Sequence, residues 1–204
     1  MDWHLGITDT MSDHQAPTSD TLDGTSCYCQ RTAHDAADVL DQNALPFAPT
    51  DTVLAIAGSR SFGINTTASD LGDRVTSIIN EVGLSPDAIV SGGADGVDAG
   101  AEACAIDHDL PIVVCAVDGP STGTTFRQQE LASAPFVVET VAAYDDDGPG
   151  PAGSEAYLYR NCVLAELADI GLAIHDGSSR GTQHAIVSFR AHHHRPPAVK
   201  TPDT

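Results

Sequence analysis

The chain has 204 residues, with 29 acidic residues against nine lysines plus arginines, a formal net charge of −20 and 41% hydrophobic residues. This length and apolar content suffice to bury one core, so we expect one main domain. No apolar run reaches the roughly 20 residues that a membrane span requires. A membrane protein, a collagen-like chain and a disulfide scaffold are therefore excluded.

The acidic residues are spread along the chain, and Lys200 is its single lysine. Carboxylates bind water and cations tightly, whereas lysine stems add apolar surface, so this composition predicts a halophilic protein kept soluble in concentrated salt. A basic partner is the alternative interpretation. The negative charge opposes phosphate neutralisation, so we expect no nucleic-acid partner, although concentrated salt screens charges within about 3 Å. An odd number of cysteines and no visible secretory signal predict a cytoplasmic protein.

Residues 1–50 are rich in Ser, Thr, Asp, Pro and Gly and show little periodicity, which predicts a disordered or weakly structured arm. A short helix is predicted over residues 32–43. Cys27, Cys29 and His34 could supply three zinc ligands, but their spacing matches no standard finger. We interpret them as incidental to a mobile tail and predict no metal and no cofactor.

From residue 51 onward, short apolar runs alternate with helical patterns. Strands are predicted at residues 52–57, 88–90, 110–117, 136–138, 169–174 and 198–199, and helices at 67–82, 97–108, 154–167 and 181–192. Strands that are apolar on both faces and alternate with helices form parallel sheets, so we predict an α/β fold with a mainly parallel sheet covered on both faces. This domain is expected to span residues 51–204, with an insert at about 118–153.

Three loops directly follow predicted strands, and each is rich in glycine and small polar residues. Loop A covers residues 58–62, loop B residues 91–98 and loop C residues 175–182. Ligands of open parallel sheets lie beyond the carboxyl ends of the strands, so we expect the three loops to share one binding site. Small residues let the backbone approach a ligand, and their amides together with a helix N-terminus favour an anion such as phosphate.

The predicted ligand-binding residues come from these loops. They are Gly58, Ser59 and Arg60 in loop A, Gly92, Gly93, Ala94, Gly96 and Asp98 in loop B, and Asp176, Gly177, Ser178, Gly181 and Thr182 in loop C. Asp98 is interpreted either as a cap of loop B or as a ligand of a ribose hydroxyl. Loop B is neither a dinucleotide fingerprint, since it does not follow the first strand, nor a Gly-Lys-Ser phosphate loop, since it lacks lysine.

Four pieces of the sequence carry a resemblance to a known family. They are Gly58-Ser59-Arg60, Ser91-Gly-Gly-Ala-x-Gly-Val-Asp98, Arg160-Asn161 and Asp176-Gly-x-Ser-x-Gly-Thr182, in that order. Together they resemble the SLOG superfamily, which includes DNA-processing protein A (Smf), the LOG phosphoribohydrolases and the small YspA/YpsA-like proteins, and the YspA-like branch matches best. The resemblance implies a Rossmann-like three-layer fold that binds a nucleotide or nucleotide-derived ligand, and it adds Arg160 and Asn161 to the ligand-binding residues.

The chain also departs from these families. The YspA-like branch usually has a tryptophan after its third strand, where this chain has Val117-Asp118-Gly119 and a longer insert. The phosphoribohydrolases carry a glutamate four residues after the glycine of Gly-Thr, where this chain has Ala185. That carboxylate steers water or stabilises a cationic sugar, so its absence disfavours an N-glycosidase. Arg160 remains the candidate catalytic residue, with His175 or His184 as substitutes for the acid or as structural residues.

Three functions are therefore weighed. The main hypothesis is a binding or sensor protein for a small nucleotide-like molecule. The first alternative is a hydrolase that acts on a nucleoside monophosphate or related nucleotide. The second is a single-stranded DNA-binding protein, which the acidity and the lack of aromatic platforms oppose. We expect no membrane partner, and a homo-oligomer formed through helices, as in family relatives, stays open.

Overall fold

A computed structural model describes residues 45–63, 65–116, 137–141, 154–193 and 197–201. Across these ranges strands and helices follow in the order β1 (Val53–Gly58), α1 (Ala68–Glu81), β2 (Ala88–Ser91), α2 (Val97–Asp107), β3 (Ile112–Ala116), β4 (Val137–Val141), α3 (Ser154–Leu167), β5 (Ile170–Ile174), α4 (Arg180–His193) and β6 (Ala198–Lys200). The sequence predicted every one of these strands and helices, and most of their first and last residues differ from the predicted ones by one or two positions. The zinc interpretation, the helix over residues 32–43, nearly all of the N-terminal arm and most of the insert lie outside the described residues.

The six strands form one sheet in the order β4-β3-β2-β1-β5-β6, and every neighbouring pair is parallel. Ala55 in β1 is in register with Val90 in β2 on one side and with Gly171 in β5 on the other. The strand order therefore reverses at β1 and β5. In open parallel sheets such a reversal opens a crevice at the carboxyl ends of the strands, where ligands bind.

Helices cover both faces of the sheet. Along β1, Leu54 and Ile56 pack into the core cluster with α1 and α2. The alternate residues Val53, Ala55 and Ala57 belong to a second cluster, built with α3 and α4. This alternation follows from the two-residue period of a strand, and it confirms the predicted three-layer sandwich. The side chains of Cys104 and Cys115 are buried in these two clusters.

Helix α1 begins and ends where its sequence predicts. Thr67 is the N-cap, and its Oγ1 accepts a hydrogen bond from the Asp70 amide at 3.1 Å. The helix buries a stripe of residues with helical spacing: Leu71, Val75, Ile78 and Ile79. Gly83 follows the helix with a φ of +71°, a conformation that glycine adopts without strain.

Two tyrosines of helix α3 lie in different surroundings. The side chain of Tyr157 is 40% exposed, while that of Tyr159 is buried. In a parallel α/β unit a helix starts near the carboxyl edge of the sheet and runs back along it. The first turns of α3 therefore extend past the edge that carries the loops, so Tyr157 contacts loop residues and not the core.

Candidate functional site

Loops A, B and C meet at the carboxyl ends of β1, β2 and β5. The Ser59 amide donates to the Ile174 carbonyl at 3.1 Å, and the Ser59 Oγ accepts from the Asp176 amide at 3.1 Å, which joins loop A to loop C. The Val97 amide donates to the Ser59 carbonyl at 3.4 Å, which joins loop A to loop B. The structure thus brings the three loops together at one edge, as the sequence predicted.

The Asp176 carboxylate organises loop C. Its Oδ1 accepts from the Ser178 and Ser179 amides, both at 2.9 Å, and its Oδ2 accepts from the Ser61 hydroxyl at 2.8 Å. The Ser178 amide, followed by the Ser61 hydroxyl, holds the pKa of the Asp176 carboxyl far below its usual range. Asp176 and Ser178, two predicted ligand-binding residues, therefore bond to each other and shape the loop.

The Asp176 carboxyl should stay ionised when the pH falls below about 3.9, the usual pKa of aspartate. Because its pKa is lower in the folded chain than in the unfolded chain, its hydrogen bonds stabilise loop C at neutral pH and are lost only as the pH falls through the lowered pKa. In an NMR titration from about pH 5 to about pH 3, a reference aspartate peptide should titrate while the Asp176 carboxyl carbon does not. Titration of Asp176 together with the peptide would show that these hydrogen bonds do not form in solution.

Two further side chains of loop C, those of His175 and Ser179, form hydrogen bonds next to the start of α4. The His175 Nδ1 accepts from the Gly177 amide at 2.7 Å, and its Nε2 lies 3.2 Å from the Ser179 carbonyl, so the proton is assigned to Nε2. The Ser179 Oγ caps the helix by accepting from the Thr182 amide at 3.3 Å and from the Thr182 hydroxyl at 2.9 Å. The Thr182 side chain is thus buried and bonded within the loop.

Two amides of loop B that were predicted to bind an anion instead form hydrogen bonds within the loop. The Gly93 amide donates to the Ser91 Oγ at 3.1 Å, and the Ala94 amide donates to the Asp98 Oδ2 at 3.2 Å. The structure therefore shows Asp98 in the first of its two predicted roles, as a cap of loop B. Sequence reasoning missed Glu102, a fully buried carboxylate that accepts from the Ser91 hydroxyl at 2.7 Å. An acidic residue in the middle of the alanine-rich helix α2 was the signal for it.

Glycine is required where loop B touches loop A. Gly96 has a φ of +78°, and a Cβ on it would lie 2.4 Å from the Ser59 carbonyl oxygen and 2.7 Å from that of Arg60. Gly58 is equally confined, since its Cβ would lie 2.4 Å from Val97 Cγ2. These two glycines, both predicted as ligand-binding residues, therefore permit the close approach of the loops.

Arg160 and Asn161, on α3, connect loop B to loop C. The Arg160 Nη1 donates to the Gly92 carbonyl, and its Nη2 donates to the Asn161 Oδ1 at 3.1 Å. The Asn161 Nδ2 in turn donates to the Gly181 carbonyl at 2.9 Å. Nη1 also lies 3.6 Å from the Asp98 carboxylate. Arg160 is only 8% exposed, and its buried Nε has no hydrogen-bond partner among the described residues.

Gly92 makes room for this arginine. A Cβ on Gly92 would lie 2.4 Å from the Arg160 Nη1 and 2.6 Å from the Asp98 Oδ2. The need for a glycine at position 92 is therefore explained by packing against the side chain of Arg160, 68 residues later in the chain. The predicted residues Gly92, Asp98 and Arg160 form one contiguous group.

Tyr157 is a further residue of this edge, and sequence reasoning missed it. The Arg60 guanidinium carbon lies 5.1 Å from the centre of the Tyr157 ring, and that of Arg160 lies 5.7 Å from the same centre. Each such cation–π contact contributes about 0.5–1 kcal/mol at an exposed site. The available signal was the spacing of Tyr157 and Arg160, because residues three apart on a helix are neighbours.

Open space adjoins the start of α4. A Cβ on Gly181 would meet no atom within 4 Å, and Gly181 does not need a positive φ. A Cβ on Gly177 would also meet no atom within 4 Å, but Gly177 has a φ of +87°, which favours glycine. Packing thus explains Gly58, Gly92 and Gly96 but leaves Gly181 without a structural requirement.

The structure also locates the residues considered for catalysis. Ala185, at the position of the phosphoribohydrolase glutamate, is buried in the core cluster of α3 and α4. His184 lies next to it, and burial lowers the pKa of its imidazole. Its Nδ1 is 3.3 Å from the Ser188 hydroxyl, one turn later on the same helix. His175 and His184 are therefore both engaged within their own segments.

The described part of the chain contains neither a metal-binding cluster nor a membrane-spanning helix. No group of three or more His, Cys, Asp or Glu residues there is arranged to hold a metal ion. Likewise, none of the helices in that part has the length and apolar character needed to cross a membrane.

Comparisons with known proteins show the fold. No family model and no curated protein matches the sequence. DNA processing protein A from Streptococcus pneumoniae matches with a TM-score of 0.53 and 18% identity over 75% of this chain, and the chain spans 51% of that protein. DNA processing protein A from Helicobacter pylori matches with a TM-score of 0.53 and 22% identity, over 83% of this chain and 78% of that one. The chain therefore has a Rossmann-like α/β fold similar to theirs, as the resemblance implied.

Proposed function

We propose that this chain binds a nucleotide or nucleotide-derived small molecule through its phosphate, as a binding or sensor protein of the YspA-like branch of the SLOG superfamily. The phosphate lies at the carboxyl edge beside β1 and β5, near the start of α4. The observation that carries the proposal is the concentration of arginines at this edge. Three of the nine basic residues in a chain of net charge −20 are here: Arg60, Arg160 and Arg180.

These arginines are only partly compensated by the protein. Within the described ranges, neither Arg60 nor Arg180 forms an ion pair, and both side chains are exposed. The nearby carboxylates of Asp98 and Asp176 accept hydrogen bonds from loop amides, so part of their negative charge is offset locally. The edge is therefore a region where an anion meets less repulsion than elsewhere on this acidic surface.

The first turn of α4 supplies the second element of a phosphate site. The amides of Arg180 and Gly181 have no acceptor in the described part of the chain, and the space beside Gly181 is open. A cation at the first position of a helix is disfavoured by the helix dipole, so Arg180 is in an unfavourable place unless an anion binds beside it. Free amides, the dipole and the guanidinium together favour a phosphate.

Binding without turnover is favoured over hydrolysis. Ala185 is buried among apolar residues, so that turn of α4 offers no carboxylate to a glycosidic bond. His175 and His184 bond within their own segments. Arg160, the candidate catalytic residue, can hold or polarise a phosphate but cannot by itself activate water. Incubation with AMP in molar KCl followed by a search for free adenine or ribose 5-phosphate tests the enzymatic alternative.

Single-stranded DNA binding is the second candidate. The Helicobacter pylori protein with this fold is described as having a single-stranded DNA binding mode. The exposed ring of Tyr157 provides one of the aromatic groups that the sequence analysis did not find. A strand contacts several phosphates, so its affinity would fall steeply and log-linearly with salt, whereas a mononucleotide would show a shallow dependence.

Gly181→Leu should reduce AMP affinity at least tenfold while leaving the thermal unfolding midpoint nearly unchanged. The added side chain enters open space, so it costs little folding free energy, but it occupies the volume that we assign to the phosphate. Isothermal titration calorimetry with AMP in molar KCl measures the affinity. Gln183→Leu is the matched control, since Gln183 is exposed on the same helix but two residues on, about 200° around its axis. Equal affinities of both variants and the unmodified chain would contradict the proposal.

A further inference from the structure

We propose that Tyr157 selects the ligand by stacking against its heteroaromatic base, and that the base takes the place now held by Arg60. This inference rests on the proposed function and deepens it, because it names a base-bearing nucleotide as the ligand in preference to a sugar phosphate. On binding, the Arg60 guanidinium turns from the ring toward the phosphate. Tyr157 then acts as a specificity residue, and Arg60 acts on the anion.

The position of the ring supports this role. Tyr157 lies one helical turn before Arg160, whose guanidinium carbon is 5.7 Å from the ring centre. The same guanidinium donates to the Gly92 carbonyl, so the Arg160 side chain connects the ring to loop B. Asn161 extends the connection to the Gly181 carbonyl at the start of α4. These contacts connect the ring to both sides of the predicted phosphate position, so we infer that a base attached through one ribose reaches the ring.

The exposure of the ring has no explanation in the packing of the core. Large exposed hydrophobic side chains in the described ranges are those of Tyr157, Val187 and Val199. Of these, Tyr157 alone contacts loop A, through Arg60. A flat aromatic face that is 40% exposed offers a planar base a stacking surface that aliphatic side chains cannot provide.

The two arginines on the ring differ in their freedom to move. Arg160 is buried and is fixed by hydrogen bonds to Gly92 and Asn161. Arg60 is exposed, and its described contact is the cation–π contact with Tyr157. That contact is weaker than a charge-assisted hydrogen bond to phosphate. Arg60 is therefore the cation that leaves the ring when a phosphate binds beside it.

The experiment compares AMP with ribose 5-phosphate by titration calorimetry in molar KCl. The variants are Tyr157→Leu, which removes the ring, Tyr157→Phe, which keeps it, and Arg60→Ala. We expect the unmodified chain to bind AMP at least tenfold more tightly than ribose 5-phosphate. Tyr157→Leu should lower AMP affinity roughly tenfold and leave ribose 5-phosphate affinity unchanged, because only the stacking contact is lost. Tyr157→Phe should bind both probes like the unmodified chain, and Arg60→Ala should weaken both by a similar factor.

Each other outcome overturns the inference. Equal affinities of the unmodified chain for AMP and ribose 5-phosphate would remove the base from the site but leave the proposed phosphate binding intact. A loss of both probes in Tyr157→Leu, with a normal thermal melt, would show that the ring supports the phosphate site and does not select a base. If neither probe binds to the unmodified chain, the proposed function fails together with this inference.

Discussion

Arg160→Ala should lower AMP affinity by about 1.5–3 kcal/mol, which is roughly ten- to hundredfold in the dissociation constant. The Arg160 guanidinium lies beside loop B, where it contacts the Gly92 carbonyl, and a charge-assisted hydrogen bond to phosphate has about this strength. Calorimetry with AMP measures the loss. Arg74→Ala is the control for net charge, because Arg74 lies on α1 with its guanidinium over the Phe62 ring, and none of its described contacts is with Tyr157 or Gly92.

The same substitution should also lower the free energy of unfolding by about 3 kcal/mol, because it removes one partner of a buried ion pair. The Asp98 side chain is 4% exposed, and the Gly92 carbonyl loses its guanidinium donor. Urea unfolding separates this effect from binding. Arg160→Lys keeps the charge but not the planar fork, so it should recover part of the stability and little of the affinity. A folded Arg160→Ala variant with unchanged AMP affinity would remove Arg160 from the site.

Gly96→Ala should destabilise the fold by about 3 kcal/mol or more, since it combines backbone strain with overpacking. The residue has a φ of +78°, and the new Cβ would lie 2.4 Å from the Ser59 carbonyl oxygen, an atom that cannot move without displacing loop A. In a domain of this size, the thermal midpoint should fall by roughly 6–12 °C. Differential scanning calorimetry gives the measurement.

Gly83→Ala provides the matched control for Gly96→Ala. Gly83 has a similar φ of +71°, but a Cβ there would meet no atom within 4 Å. The control therefore carries the backbone strain alone, about 1–2 kcal/mol. Similar midpoints for the two variants would mean that loops A and B do not approach each other as closely as the structure shows.

Concentrated salt would change how an anion is captured. Charges are then screened within about 3 Å, so attraction from a distance contributes little. Capture would depend on direct contact with the arginines of this edge and the amides of α4. The buried Arg160 is consistent with this requirement, because burial protects its contacts from screening ions.

The identity and order of the strands and helices could be predicted because each depends on short-range pattern. The stripe of Leu71, Val75, Ile78 and Ile79 has helical spacing whatever the rest of the chain does. The meeting of three loops at one edge also followed, since the carboxyl ends of parallel strands lie together. Arg160 entered the site through the family resemblance, and its contact with Gly92 then placed it beside loop B.

What the loops do with their polar groups could not be predicted, because it depends on residues far apart in the chain. The Asp176 amide is bonded to Ser59, 117 residues earlier, and the Asp176 carboxylate is bonded to Ser61, 115 residues earlier. Local sequence identifies these groups as donors and acceptors but cannot say that they satisfy each other. For the same reason Gly93 and Ala94 looked like open anion-binding amides before their partners were known.

The sequence by itself determined a parallel α/β domain with an acidic surface and glycine loops at one edge, because composition and periodicity are properties of the chain alone. Only the tertiary structure decided that the strand order reverses beside β1 and that Tyr157 faces outward between two arginines. Both depend on how strands and helices are placed against one another. That placement is fixed by packing between distant segments, which no local pattern encodes.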